Sequence, residues 1–349
     1  MAWADDDRRG FSAYRAAVSS SGVEPPDTDL LQWGAVMGLE EATAHARLER
    51  LLEGAIVAGD FKPGAAGWKA SAGSLCERAL REPAPHASPE SWLSVVIRER
   101  VDTWIKLGHP EGLRAWRARV ADRLLAPPEP PEEPDAVIEP MHWLLTTCRS
   151  GVTLTASGYL PPRLVHEATE RFGWWDWPGR ARSESDVHQL GVLRESTSRL
   201  KLITKRGRRL ATSRRGRGLL GDPVALWRAI VATIGAVDDF SSLLSELVAH
   251  RLLAGPAVGD ELAQAIAPIV MAQGWASGGV PLDEQQAGWS IDRPLYHWRL
   301  FGLLEEVRPR WEYNRPTGPE VTSLNAAGRA TALAYLHTLA TGPRVDLRA

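Results

Sequence analysis

Cysteine is nearly absent. Cys76 and Cys148 are the only two in 349 residues, too few for a disulfide framework and in keeping with reduced thiols in a cytosolic protein. No apolar run approaches the length that spans a bilayer. The N-terminal stretch Met-Ala-Trp-Ala-Asp-Asp-Asp-Arg-Arg has no apolar core of a secretory signal. These absences predict a soluble, cytoplasmic protein with no membrane partner. Chemistry-bearing motifs are missing too. There is no Gly-x-x-x-x-Gly-Lys-Ser/Thr phosphate loop, and Gly216-Arg-Gly218 lacks the strand and spacing of a dinucleotide fingerprint. No His-Glu-x-x-His pair, no His/Cys set at metal-ligand spacing and no Gly-x-Ser-x-Gly elbow occurs. The expectation is a protein that is not an enzyme, with no cofactor and no metal.

What is present describes an ordinary globular chain, 44% hydrophobic and 24% charged, with a net charge of −2. Its length suits two or three domains. Fifteen tryptophans are spread along it, and buried packing accounts for most tryptophans, which contribute large apolar area.

Taken in order, residues 1–72 read as a helix-turn-helix or winged-helix-like unit. Short helices are expected near 11–19 and 30–38, a turn at Gly38-Leu39, a longer helix over 40–53, and a strand–turn–strand wing over 54–69. The longer helix carries Glu40, Glu41, Glu49 and Glu53 against Arg47 and Arg50. An acidic face repels phosphates, so this unit reads as a surface for protein partners. Residues 73–125 read as a connector and a pair of helices, the first opened by Ser88 and Pro89. Residues 126–135, Ala-Pro-Pro-Glu-Pro-Pro-Glu-Glu-Pro-Asp, have no large apolar side chain to pack and read as an extended linker. A basic unit follows over 136–228 and a second unit over 229–349.

The stretch from Arg199 to Arg217 holds nine Lys or Arg and no Asp or Glu. Leu200, Leu202 and Leu210 are spaced as the buried side of a two-stranded ribbon. Gly207 sits where a tight hairpin needs positive φ, and Ser213 reads as the N-cap of a following helix. Before it, a helix over 184–200 turns Val187, Leu190, Leu193, Thr197 and Leu200 inward, leaving His188, Gln189 and Arg199 outward. Between Met141 and Gly221 there are fifteen Lys or Arg against six Asp or Glu.

The second unit repeats this grammar. Residues 199–203 match 299–304 loosely, and Ser213-Arg-Arg-Gly-Arg matches Asn325-Ala-Ala-Gly-Arg at the same internal spacing. The wing between them, Arg308 to Pro319 with Trp311 and Tyr313 at its tip, is longer and much less basic.

The run Leu154-Thr-Ala-Ser-Gly-Tyr-Leu-Pro-Pro-Arg-Leu-Val, the Leu-Arg-Glu at 193–195, the ribbon itself and Arg217-Gly-Leu-Leu-Gly-Asp-Pro-Val-Ala-Leu-Trp227 together resemble the C-terminal accessory region of the plasmid pRiA ORF-3-like family of bacterial proteins. The resemblance covers roughly residues 140–235 and not that family's own defining domain. It implies a bacterial, mobile-element context and brings no activity or catalytic residue with it.

The fold expected is mainly α with small β wings, built of tandem winged helix-turn-helix-like units. The function expected is binding of double-stranded DNA, or regulation through it. Candidate contacts are His188, Gln189, Arg199, Lys201, Lys205, Arg206, Arg208, Arg209, Arg214, Arg215 and Arg217. Arginine dominates this set, and its fork fits phosphate and base edges. The alternative is an interaction scaffold whose units dock acidic protein partners, with the same charges serving as a solvated face or a docking face.

Overall fold

The protein is described from a computed structural model, which describes residues 23–24, 38–60, 62–87, 89–175, 179–235, 239–307, 310–312, 315–317 and 319–342. It is mainly helical with small antiparallel sheets, and no helix among the described residues is long and apolar enough to cross a membrane. The chain divides into two compact units, one of residues 27–127 and 337–349, the other of residues 1–26 and 128–336. The division falls inside the proline-rich segment.

The short strand β1 (Val23–Glu24) belongs to the larger unit. The smaller unit holds α1 (Leu39–Ala58), α2 (Trp68–Arg81), α3 (Trp92–Lys106) and α4 (Glu111–Val120). Gly38 offers α1 no side-chain cap, and the Glu99 carboxylate of α3 takes that role, accepting the amides of Glu40 (3.1 Å) and Glu41 (2.9 Å). A carboxylate there satisfies two orphan N–H groups and meets the positive end of the helix dipole. Ala44, Ala84, Trp92, Val95 and Val96 form one core cluster, and Val101, Leu113 and Leu124 are buried as well. Arg100 donates to the Glu41 carboxylate and to the carbonyls of Thr341 and Gly342.

Two expectations fail here. The segment 54–69 is not a wing: α1 continues through Ala58, and α2 begins at Trp68 with turns between. Gly59, at φ 82°, closes α1 with its own amide on Ile56 C=O (3.1 Å) and the Asp60 amide on Ala55 C=O (2.9 Å). That pattern ends a helix, and Gly59, read as part of a hairpin, is its terminator. The boundary drawn at 72/73 therefore falls inside α2. The helix expected from Ser88 starts later, at Trp92, with Ser91 Oγ accepting the Ser94 amide (3.2 Å); Ser88 lies outside the described residues, as do the helices read over 11–19 and, apart from Gly38, over 30–38.

The larger unit contains one arrangement twice. Its first copy runs α5 (Pro134–Thr147), β2 (Val152–Thr153), α6 (Pro162–Phe172), α7 (His188–Arg199), β3 (Ile203–Arg206), β4 (Arg209–Thr212) and α8 (Arg214–Leu219), followed by α9 (Pro223–Val231). The second runs α10 (Asp239–Ala254), β5 (Ala257–Val258), α11 (Glu261–Ala272), an insertion of β6 (Ala276–Ser277), β7 (Val280–Pro281) and α12 (Glu284–Trp289), then α13 (Asp292–Leu300), β8 (Leu304–Val307), β9 (Arg310–Glu312), β10 (Arg315–Thr317), β11 (Val321–Leu324) and α14 (Ala326–Thr341). β1 pairs with β6. The main sheets have the same order, β2-β4-β3 and β5-β11-β8.

The registers agree residue by residue. Ile203 pairs with Thr212 and Lys205 with Leu210; Leu304 pairs with Leu324 and Glu306 with Thr322. Val152 lies opposite Leu210 and Ala257 opposite Thr322. The corner after the third helix is also duplicated. Leu202 N–H donates to Thr197 C=O and Leu303 N–H to Trp298 C=O, both at 3.0 Å. Lys201 and Gly302 both hold positive φ, 57° and 60°. Ser213 Oγ accepts the Gly216 amide (3.0 Å), and Asn325 Oδ1 accepts the Gly328 amide (2.7 Å).

This register corrects the loose match of 199–203 with 299–304: Arg199 corresponds to Leu300, not Arg299. The helix read as continuous over 184–200 is a short 3₁₀ turn, Glu184–Asp186, and then α7. Ser183 caps the turn, and its hydrogen bonds interrupt the helix before His188. Leu200 is the C-cap of α7 and half-buried, so the buried side of the ribbon is Ile203, Leu210 and Thr212, with Leu202 just ahead of it. The boundaries at 135/136 and 228/229 fall in α5 and α9, and residues 337–349 group with the smaller unit rather than with the second copy. Tyr313 lies outside the described residues.

Candidate nucleic-acid interface

The first copy's sheet and corner come from two stretches, 149–166 and 196–221, that contain no Asp or Glu. β3 and β4 join through Gly207 and Arg208, with Gly207 at φ 57° in the first turn position, where a two-residue hairpin favours glycine. Lys201, Lys205, Arg206, Arg208, Arg209, Arg214, Arg215 and Arg217 are all exposed.

How the arginines are held matters more than their number. Arg208 donates through Nε (3.1 Å) and Nη2 (2.8 Å) to Leu154 C=O. Arg209 Nη2 donates to Ser150 C=O (2.6 Å), and Arg217 Nη1 to Thr212 C=O (2.8 Å). A backbone carbonyl fixes a guanidinium without cancelling its charge, and leaves the remaining N–H groups of the fork free to donate. Elsewhere the arginines meet carboxylates: Arg98 with Glu90, Arg171 with Glu139, Arg251 with Glu261 and Arg299 with Glu306. Among the described residues none of the eight ribbon and corner cations has such a partner. Arg199 differs, since its Nη2 sits 2.8 Å from Glu195 Oε1.

Of the candidates on α7, His188 lines one cavity with Lys205 of the ribbon. His188 packs edge-on against Tyr296 of α13, with ring centroids 4.8 Å apart, and Gln189 is half-buried. Next to them, burial pushes the His297 imidazole down to about 4, with the Arg199 charge adding to the effect. The structure thus brings the ribbon and corner together and places His188 in a contact between the two copies.

Sequence reasoning missed three residues beside the patch. Arg149, after α5, is exposed next to Ser150, whose carbonyl holds Arg209. Tyr159 and Arg194 line a cavity of about 580 Å³ between α7 and the sheet, with Lys205 and Leu210 on its sheet side. Arg194 Nε pairs with Glu184 Oε1 (2.8 Å) and its Nη1 donates to Gly158 C=O (2.7 Å). Burial raises the Glu184 carboxyl above its ordinary range, opposed by the Leu160 amide and by Arg194. The absence of carboxylates over 149–166 was the signal that could have drawn attention to the first two.

No group of three or more His, Cys, Asp or Glu among the described residues is placed to hold a metal ion. No protein-family model, curated protein or solved structure matches this chain.

Proposed function

We propose that the larger unit is a pair of winged helix-turn-helix modules and that the protein binds duplex DNA through the wing of the first. The order helix–strand–helix–helix–hairpin, found twice, is the basis for the module reading.

One observation carries the function: the framework is built twice and only one copy is cationic. Position by position, Lys205 and Arg208 correspond to Glu306 and Glu320, and Arg206 and Arg209 to Val307 and Val321. Arg214 and Arg215 correspond to Ala326 and Ala327, and Lys201 to Gly302. Only Arg217 has a basic counterpart, Arg329. The residues the fold requires, Leu202, Ser213 and Gly216, recur as Leu303, Asn325 and Gly328. The framework therefore forms without cations at most of these positions. A concentrated, unneutralised set of guanidiniums on a hairpin and a helix start suits phosphate contact. The reading rests on wing and corner, with no role for His188 in base contact while its ring lies on Tyr296.

The test places second-copy residues in the first copy: Lys205→Glu, Arg206→Val, Arg214→Ala and Arg215→Ala together. All four positions are exposed, so the variant folds as the parent does. Wild-type protein binds duplexes of any sequence with a steep dependence on salt, and the variant loses both the affinity and the slope. Absence of salt-dependent binding at low ionic strength ends this reading. The His188–Tyr296 contact favours a second one, in which the third helices serve protein contact and the patch docks an acidic protein surface.

A further inference from the structure

The cavity between α7 and the wing goes beyond phosphate contact. We infer that it receives one unpaired nucleotide at the end of a strand, its base against Tyr159 and its phosphate at Lys205. The inference rests on the nucleic-acid reading and narrows its substrate class to duplexes with a single-stranded end.

Four observations carry it. The cavity, about 580 Å³, falls within the roughly 300–1,000 Å³ that small-molecule sites occupy. Gly191 opens onto it, and nothing lies within 4 Å of where its Cβ would stand. The walls are built in advance: Glu184, 2% exposed, accepts the Leu160 amide at 2.7 Å and holds Arg194, which holds the Gly158 carbonyl. Lys205 Nζ lies 3.5 Å from where a Cβ on Gly158 would stand, and the neighbouring Tyr159, 37% exposed, lines the same cavity. Leu210 supplies an apolar side. An exposed aromatic residue and a cation without a carboxylate partner on one cavity, at the edge of a basic surface, suit stacking plus phosphate contact, the way single strands are held without regard to sequence.

The second copy shows what the framework does without this task. Its cavity in the same place, about 480 Å³, has Asp292 at the position of Gly191, Leu295 at that of Arg194 and Thr322 at that of Leu210. Glu306 replaces Lys205 and is paired with Arg299 at 2.8 Å. Among the described residues, a glycine at the position of Gly191 and a cation without a carboxylate partner at that of Lys205 belong to the first copy.

The experiment compares a blunt duplex, the same duplex with a short single-stranded extension, and the extension strand alone. Each is measured with wild-type full chain, Gly191→Leu and Tyr159→Ala. A Cβ at 191 meets nothing within 4 Å, and leucine has the better helix propensity, so this variant folds. The extension is expected to tighten wild-type binding roughly tenfold, the scale of one base–aromatic stack. Both variants lose that gain while keeping the blunt-duplex affinity and salt slope. No gain in wild type, or a gain that survives both variants, overturns the inference and leaves duplex binding standing. If the blunt duplex is not bound at all, the function reading fails by itself, and strand binding abolished by Gly191→Leu still upholds the cavity. Displacement of the extension by free dAMP in the wild type assigns the cavity to free nucleotides and overturns the strand-end assignment.

Discussion

Gly216 and Gly328 occupy one and the same corner of a framework built twice: a side chain at Gly216 would overlap the backbone carbonyl of Leu202, and one at Gly328 that of Leu303. Each carbonyl also lies under the amide of the capping residue, Ser213 (2.8 Å) and Asn325 (3.3 Å). Gly216→Ala and Gly328→Ala are both predicted to destabilise by about 1–3 kcal/mol, the usual cost of overpacking. Gly218→Ala, with nothing within 4 Å, does not. Chemical denaturation of the three variants checks this.

Arg206 and Arg208, at the tip of the β3–β4 hairpin, differ in what they do for the fold. Arg208→Ala removes two donations to Leu154 C=O and is predicted to cost about 1 kcal/mol of stability. Arg206→Ala, exposed and without a described partner, stays within about 0.5 kcal/mol. On the proposed function both weaken duplex binding, and each lost phosphate contact lowers the salt slope by about one unit. Paired denaturation and binding measurements separate the two effects.

His297 makes stability depend on acidity. It is buried in α13, accompanied by Arg199 and Glu195 of α7 and by Arg293 on its own helix, and its pKa is pushed down to about 4. The unfolded imidazole protonates near its ordinary value of 6.5, so the unfolded state takes up the proton first as pH falls. The contribution is complete above about pH 6.5, declines as pH drops toward 4, and totals about 3 kcal/mol at this depth of burial. His337 is shifted the same way by burial. His297→Gln is predicted to flatten the fall of stability between pH 7 and pH 4.5 relative to wild type, as read by thermal melts.

The two thiols differ in reactivity. Cys148 is fully buried, and its thiol is pushed up to about 11 by burial; Cys76 is half-exposed and raised less. Alkylation at pH 8 is predicted to modify Cys76 first, with Cys148 reacting only as the protein unfolds, because the thiolate is the reactive species. Mass spectrometry of timed alkylation reads the order.

The basic hairpin was legible because three local signals agreed: the glycine, the capping serine and the apolar spacing around them. The match of Ser213 with Asn325 was legible for the same reason, since a cap and a glycine three residues later report backbone geometry directly. The region 54–69 misled because glycines that close a helix and glycines that turn a hairpin look alike in sequence. Only the hydrogen bonds at Gly59 and Asp60 tell them apart. The cavity at Gly191 left no mark, for its walls come from residues 159, 184, 194 and 205, brought together by the packing of α7 on the sheet. Nor did the sequence show that His188 meets Tyr296, because an outward position on one helix says nothing about the next domain-sized element to cover it.

The buried indole of Trp227 donates to Thr331 Oγ1 at 3.0 Å, across 104 residues of chain. During synthesis Trp227 is made 104 residues before this partner. At roughly 5–20 residues per second that interval lasts about 5–20 s. Until then the Trp227 N–H lacks the partner it has in the finished fold, where Leu226, Ile230 and Val231 beside it are buried too. The first copy thus keeps a buried donor open until a helix of the second copy reaches it.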